Sequence, residues 1–165
     1  MEPKADRQSR KSQSENHEGN LESLIGLDAN ILVYALDPTF PEHEQAKAAT
    51  LSLDGWAINA TVVHETYHTL VFRRKISPAD SRRKIVELLK DRRTVFINLT
   101  TATCLFALNL AASMNLGGRD ALIVANFLSN KVPVIYTHDD ELLKLKRITW
   151  KNSHITFQDP VTKTK

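Results

Sequence analysis

The chain has 165 residues, 42% of them hydrophobic, which is room for one domain with a proper core and little more. Its single cysteine, Cys104, excludes a disulfide framework and a cysteine-based zinc site, in keeping with a reducing, cytoplasmic setting. The net charge of +3 is unevenly placed: residues 1–22 hold four Lys/Arg against five Asp/Glu, leaving +4 on the remainder.

Residues 1–22 contain one large apolar residue, Leu21, and read as a disordered polar arm without the apolar run of a signal peptide. Residues 23–158 read as the domain and 159–165 as a tail. The domain opens with an apolar strand, Leu24 to Leu27, which stops on Asp28, and a helix begins near Asn30. After the loop Pro38-Thr39-Phe40-Pro41, a helix from Pro41 or Glu42 runs through Ala46 and Leu51 to Asp54-Gly55. Trp56-Ala57-Ile58 is a short strand. Thr61 then caps a helix reaching about Lys75, and Ser77-Pro78-Ala79-Asp80 starts another ending near Leu89.

From Val95 to Gly118 no residue is charged, a stretch long enough to span a membrane. It contains Asn98, Asn109, Asn115 and several threonines, so a strand (Val95 to Leu99) followed by a buried helix (Thr100 to Met114) is expected instead, and no membrane association. Gly117-Gly118 breaks the chain and Asp120 opens a helix through Phe127 and Leu128. Val132 to Tyr136 is a strand ending at Thr137-His138-Asp139-Asp140. A short helix around Leu142 to Leu145 and a last strand, Ile155 to Phe157, complete the chain. Strands alternating with helices predict an α/β fold, a mostly parallel sheet flanked by helices on both faces.

Asp28 and Asp139 each follow an apolar strand, Asp120 sits in the first turn of its helix, and Glu65 sits in the first turn or so of another. Ligands of open α/β sheets bind outside the carboxyl ends of the strands, and these positions fall there. Each acid also has a plain structural reading: Asp28 and Asp139 as helix caps, Asp120 as a first-turn acid, Glu65 as a surface residue. Four carboxylates meeting without a counterion would raise one another's pKa, and a hard cation such as Mg²⁺ or Mn²⁺ relieves that conflict. Gathering four acids around a metal would leave about +8 elsewhere on the domain, from 4 + 4, favouring a polyanionic partner.

Leu27-Asp28-Ala29-Asn30-Ile31-Leu32-Val33-Tyr34, Val63-His64-Glu65, Arg119-Asp120-Ala121-Leu122-Ile123 and Tyr136-Thr137-His138-Asp139, in this order, resemble a PIN domain. Within that family the similarity is greatest to the VapC-type toxins, and it covers residues 24–158. The resemblance implies a three-layer fold and an endoribonuclease whose Asp28, Glu65, Asp120 and Asp139 bind Mg²⁺ or Mn²⁺. It places Asn30 and Thr137 beside the site, with Asp140 adjoining the fourth acid and able to substitute for Asp139. It further implies RNA as substrate, a homodimer, and a small antitoxin as partner. A PIN nuclease of RNA processing outside a toxin pair fits the same residues. A haloacid-dehalogenase-type phosphatase does not, because Asn30 stands where a second Asp is needed.

His64-Glu65-Thr66-Tyr67-His68 is also a literal H-E-x-x-H, the helical zinc motif of metalloproteases. Both histidines fall off the apolar stripe of Val63, Thr66, Tyr67 and Leu70, and no downstream third ligand is recognisable. A zinc metallohydrolase using His64, Glu65 and His68 is therefore the minor alternative to two exposed histidines flanking an acid. Residues 73–93 carry nine Lys/Arg against three acids. Arg73, Arg74 and Lys75, with Arg119, are the candidate RNA-phosphate contacts; a solvated helix face explains the run equally well. No base-stacking platform is evident. Tyr34, Phe106 and Phe127 read as packing residues, and Cys104 as a buried small hydrophobe.

Overall fold

The computed structural model describes residues 21–161, so most of the predicted polar arm and the last four residues of the tail lie outside the described residues. A single 3₁₀ turn, Leu21–Ser23, leads into β1 (Ile25–Leu27), α1 (Ala29–Leu36), α2 (His43–Leu51), β2 (Trp56–Asn59) and α3 (Ala60–His68). A π turn, Thr69–Arg73, extends α3 and is followed by α4 (Pro78–Lys90), β3 (Thr94–Ile97), α5 (Thr101–Met114) and α6 (Gly118–Ser129). The chain closes with β4 (Val134–Tyr136), α7 (Asp140–Leu145), β5 (Arg147–Trp150) and β6 (Ser153–Gln158).

The six strands form one sheet in the order β3-β2-β1-β4-β6-β5. All neighbours are parallel except the β5–β6 hairpin, in the three-layer α/β arrangement expected. From β1 the chain steps outward through β2 to β3. It then crosses back by way of α5 and α6 to β4, on the other side of β1. Strand order reverses between β1 and β4, which opens a crevice at their carboxyl ends. Gly26 pairs with Ala57 on one side and Ile135 on the other, holding that edge level.

The core follows from the two periodicities. All four residues of β2 are buried, as both faces of a parallel sheet require, and Trp56, Ile58, Phe127, Ile123, Ile135 and Ile155 are fully enclosed. Full burial of a side chain such as Phe127 stabilises by roughly 1.5–3 kcal/mol. Its ring lies on β1, where a Cβ at Gly26 would come within 2.8 Å of it. A smaller cluster of Val33, Leu70 and Ile85 joins α1, the π turn and α4.

Several helix ends differ from expectation. Asn59, rather than Thr61, caps α3, its Oδ1 accepting from the Val62 amide at 3.0 Å. That helix does not continue regularly to Lys75: the Arg74 amide bonds Thr69 O at 2.9 Å, a π-type span. Gly118 is the first residue of α6, with Gly117 as its cap, so the double glycine starts the helix instead of interrupting the chain. Ser77 caps α4 with Pro78 in its first turn, as its sequence pattern requires.

Two larger differences concern the charge-free stretch and the C-terminal strands. Helix α5 is not buried: Leu105 and Leu108 are 60% and 67% exposed, and Cys104 is exposed on the same side. Thr103, Ala107 and Leu110 are buried, with Phe106, Ala111 and Met114 packed partly against the core, so absence of charge did not mean enclosure. Strand β5 has no counterpart in the sequence reading, since just one of its four residues, Ile148, is buried. The predicted tail also contributes to packing, with Val161 in the core and Asp159 hydrogen-bonded to His138 at 2.9 Å.

Candidate active site

Asp28 directly follows β1 and caps α1, its Oδ1 accepting from the Ala29 amide at 2.7 Å. Its other oxygen accepts from Thr137 Oγ1 at 2.6 Å, across the β1–β4 crevice. Thr137 is buried and accepts in turn from Asn30 Nδ2 at 3.3 Å and the Asp139 amide at 3.1 Å. Asn30 Oδ1 accepts from the His138 amide at 3.2 Å. Asn30 and Thr137 therefore clamp the turn after β1 to the turn after β4 and fix the orientation of Asp28.

The other three acids arrive from separate elements. Asp139 caps α7, its Oδ1 accepting from the Glu141 and Leu142 amides at 2.8 and 3.1 Å. Asp120 lies in the first turn of α6, and a Cβ at Gly117 would stand 3.2 Å from its Oδ2. Glu65 sits in the second turn of α3, further from the helix end than its sequence setting suggested, and is paired with Arg119. Helix α6 is itself anchored by buried amides: Asn59 Nδ2 donates to Asn126 Oδ1 at 3.0 Å, and Asn126 Nδ2 to Asn98 O at 3.0 Å. That link joins the ends of β2 and β3 to the helix bearing Asp120. It has no local sequence signature, since its members are 67 and 28 residues apart.

Asp28, Glu65, Asp120 and Asp139 line one cleft of about 640 Å³. Asn30, His64, His68, Arg73, Arg74 and Arg119 share it, whereas Asp140 and Lys75 are not part of its wall. Burial is the main reason that the Asp28 carboxyl is pushed up to about 6. The hydrogen bonds from Thr137 and Ala29 oppose that rise, and the charges of Asp120 and Glu65 add to it. Asp120 is likewise raised, by burial and then by Asp139 and Glu65, with Arg119 pulling the other way.

The four carboxylates form an all-oxygen donor set of the kind a hard divalent cation takes. Among the described residues, no three His, Cys, Asp or Glu side chains are drawn tightly enough together to enclose an ion. Arg119 engages Glu65, and the α7 amides hold one oxygen of Asp139. Burial raises Asp28 and Asp120 first, and neighbouring carboxylates add to both, a repulsion that cation binding relieves.

The basic rim is smaller than the run of residues 73–93 implied. Arg74 is tied to Asp37 by a 2.8 Å bond and to Thr39 Oγ1 at 2.7 Å, with its guanidinium 4.1 Å from the Phe40 ring. Lys84 donates to Leu36 O at 2.8 Å, and Arg93 lies over Trp56 while bonding Asp91 at 2.8 Å. Arg73 is exposed at the cleft, as is Arg119, one guanidinium nitrogen of which is engaged by Glu65. The H-E-x-x-H residues also face it, with the His64 and His68 rings stacked 6.2 Å apart. No helix among the described residues is long and apolar enough to cross a membrane.

No curated protein matches the chain in sequence. Among solved structures it is similar to Mycobacterium tuberculosis VapC20, described as a sarcin–ricin loop cleaving toxin. That pair is 16% identical with a TM-score of 0.63, over 71% of this chain and 91% of that one. It is also similar to VapBC2 from Rickettsia felis, solved bound to a DNA fragment from its promoter. There the identity is 16% and the TM-score 0.57, over 82% of this chain and 98% of that one. At such identities the likeness is one of fold. The PIN domain family model, however, matches residues 25–148, a span that runs from β1 into β5 and contains all four cleft acids. The chain belongs to the PIN domain family.

Proposed function

We propose that this PIN domain is a Mg²⁺- or Mn²⁺-dependent endoribonuclease, the toxin of a toxin–antitoxin pair. One observation carries the reading: carboxylates from four separate elements line a single cleft at the sheet's carboxyl edge, and two of them are raised in pKa partly by the charge of the others. Asp28, Glu65, Asp120 and Asp139 would hold the cation. When bound, it would lower the pKa of a coordinated water and offset charge developing on the phosphate.

The protein's own groups supply position. Thr137 and the Ala29 amide keep Asp28 from rotating, and Asn30 locks the neighbouring turn. Arg73, shortly after Glu65 in the chain, and Arg119, next to Asp120, offer guanidinium groups to the RNA backbone. Cleavage is hydrolysis: water attacks phosphorus in line and the 3′-oxygen leaves with a proton, giving 5′-phosphate and 3′-hydroxyl ends. Likeness in fold to a sarcin–ricin loop cleaving toxin and to VapBC2 supports the biological setting. A cytoplasmic homodimer silenced by a small antitoxin belongs to the same proposal.

Purified protein should cleave RNA with Mn²⁺, stop in EDTA, and be inactive but folded as Asp28→Asn or Asp120→Asn. Cleavage undiminished by EDTA rules the mechanism out. Expression should arrest growth unless Asp120→Asn is present; an active enzyme that is harmless on expression points to RNA processing instead.

A further inference from the structure

His64, His68 and Phe72 stand one helical turn apart on α3 and its π extension. Their rings form a column, His64 to His68 at 6.2 Å between centroids and 26° between planes, then His68 to Phe72 at 4.9 Å and 36°. All three are exposed, Phe72 by 57%. His64 and His68 belong to the cleft wall, and Phe72 continues the column outside it. The π turn matters here. It carries both Phe72, whose ring contacts His68, and Arg73, which lines the cleft.

We propose that this column is a base-stacking track for single-stranded RNA, on which unpaired bases next to the scissile phosphate lie. Single-stranded nucleic acid is held by cations tracking the backbone together with aromatic faces that take up bases. Arg73 and Arg119 supply the first. Phe72, the exposed end of the column, and the solvent-facing sides of the histidine rings supply the second, since 4.9 Å leaves no room for a base between His68 and Phe72. A duplex, whose bases are already stacked inward, offers no ring faces to this surface. The track therefore selects loops and single-stranded segments over helices, with little preference among bases, because every base has a π face. It also absorbs His64 and His68 without zinc: they flank Glu65 as the inner steps of the track.

The inference rests on the ribonuclease reading for its ligand but is measured without catalysis. Fluorescence anisotropy in EDTA would follow a labelled single-stranded oligoadenylate, the same strand carrying abasic sites, and an RNA duplex of equal length. Wild type should bind the intact strand roughly tenfold more tightly than the abasic one. Phe72→Ala and His68→Ala should each remove most of that preference while leaving the abasic affinity unchanged, and Phe72→Trp should keep it. Phe72 is exposed, so its variants should unfold with unaltered midpoints. Equal affinity of wild type for intact and abasic strands overturns the track, as does a loss in Phe72→Ala shared equally by both strands. Separate outcomes distinguish the two readings. Base-dependent binding without Mn²⁺-dependent cleavage sinks the nuclease and keeps the track; cleavage with no base dependence does the reverse.

Discussion

Asp28→Asn probes the electrostatic stress of the cleft without needing a substrate. In the folded protein burial, reinforced by Asp120 and Glu65, raises the Asp28 carboxyl from 3.8 to about 6. Between those values the native state holds a proton that the unfolded chain has released. Stability from this group is therefore complete below pH 3.8 and is lost as pH rises to about 6. At about 1.4 kcal/mol per tenfold change in proton affinity, the loss is at most about 3 kcal/mol by neutral pH. Asparagine carries no charge, so the variant lacks this decline. Its amide still accepts from Ala29, but its NH₂ meets Thr137 Oγ1, which already accepts from Asn30 and Asp139. That mismatch costs about 1 kcal/mol. Urea unfolding in EDTA should thus show Asp28→Asn gaining on wild type by roughly 2–3 kcal/mol between pH 4 and 7. Excess Mn²⁺ should close the gap at pH 7 by stabilising wild type alone. Parallel stability profiles for the two proteins across that range would refute the reasoning.

Other perturbations bear on the scaffold and the rim. Gly26→Ala puts a methyl group 2.8 Å from the Phe127 ring and should cost about 1–3 kcal/mol in chemical denaturation. Asn126→Ala strands Asn59 Nδ2 and Asn98 O, with a loss of about 1–3 kcal/mol and, because α6 carries Asp120, a lower kcat. Arg119→Gln frees Glu65 and removes a positive charge from the cleft; Mn²⁺ should bind several-fold more tightly by calorimetry. RNA binding by the same variant should weaken and its salt slope fall by about 1.

Much of this molecule could be read locally. A strand ending on an acid that caps the next helix needs only a few consecutive residues to recognise, and Asp28 and Asp139 are such cases. Asp120 stands out as a first-turn acid just after a double glycine, although the helix begins at Gly118. Their convergence required one further step, the rule that parallel strands bring their carboxyl ends together, and the four acids do line one cleft. What escaped depends on distant partners or on exposure. The Asn59–Asn126–Asn98 link joins three elements, and the Arg119–Glu65 pair joins two helices. Arg74 looked like a free cation until Asp37 appeared beside it, 37 residues away. Cys104 was misjudged because apolar neighbours in sequence imply burial only if they face inward, and Leu105 and Leu108 do not. The aromatic column needed more than spacing: His64, His68 and Phe72 share a helix face by their four-residue interval, but only the fold shows that the rings contact one another and stay exposed.

The most direct test is a Mn²⁺ titration of the purified protein, reading unbound ion by electron paramagnetic resonance. Asp28→Asn, Glu65→Gln, Asp120→Asn and Asp139→Asn should each weaken binding at least tenfold, while His64→Ala and Asp140→Asn should leave it unchanged. Tight zinc binding lost on His64→Ala, with no measurable uptake of Mn²⁺ by wild type, would contradict a carboxylate-held cation and the nuclease built on it.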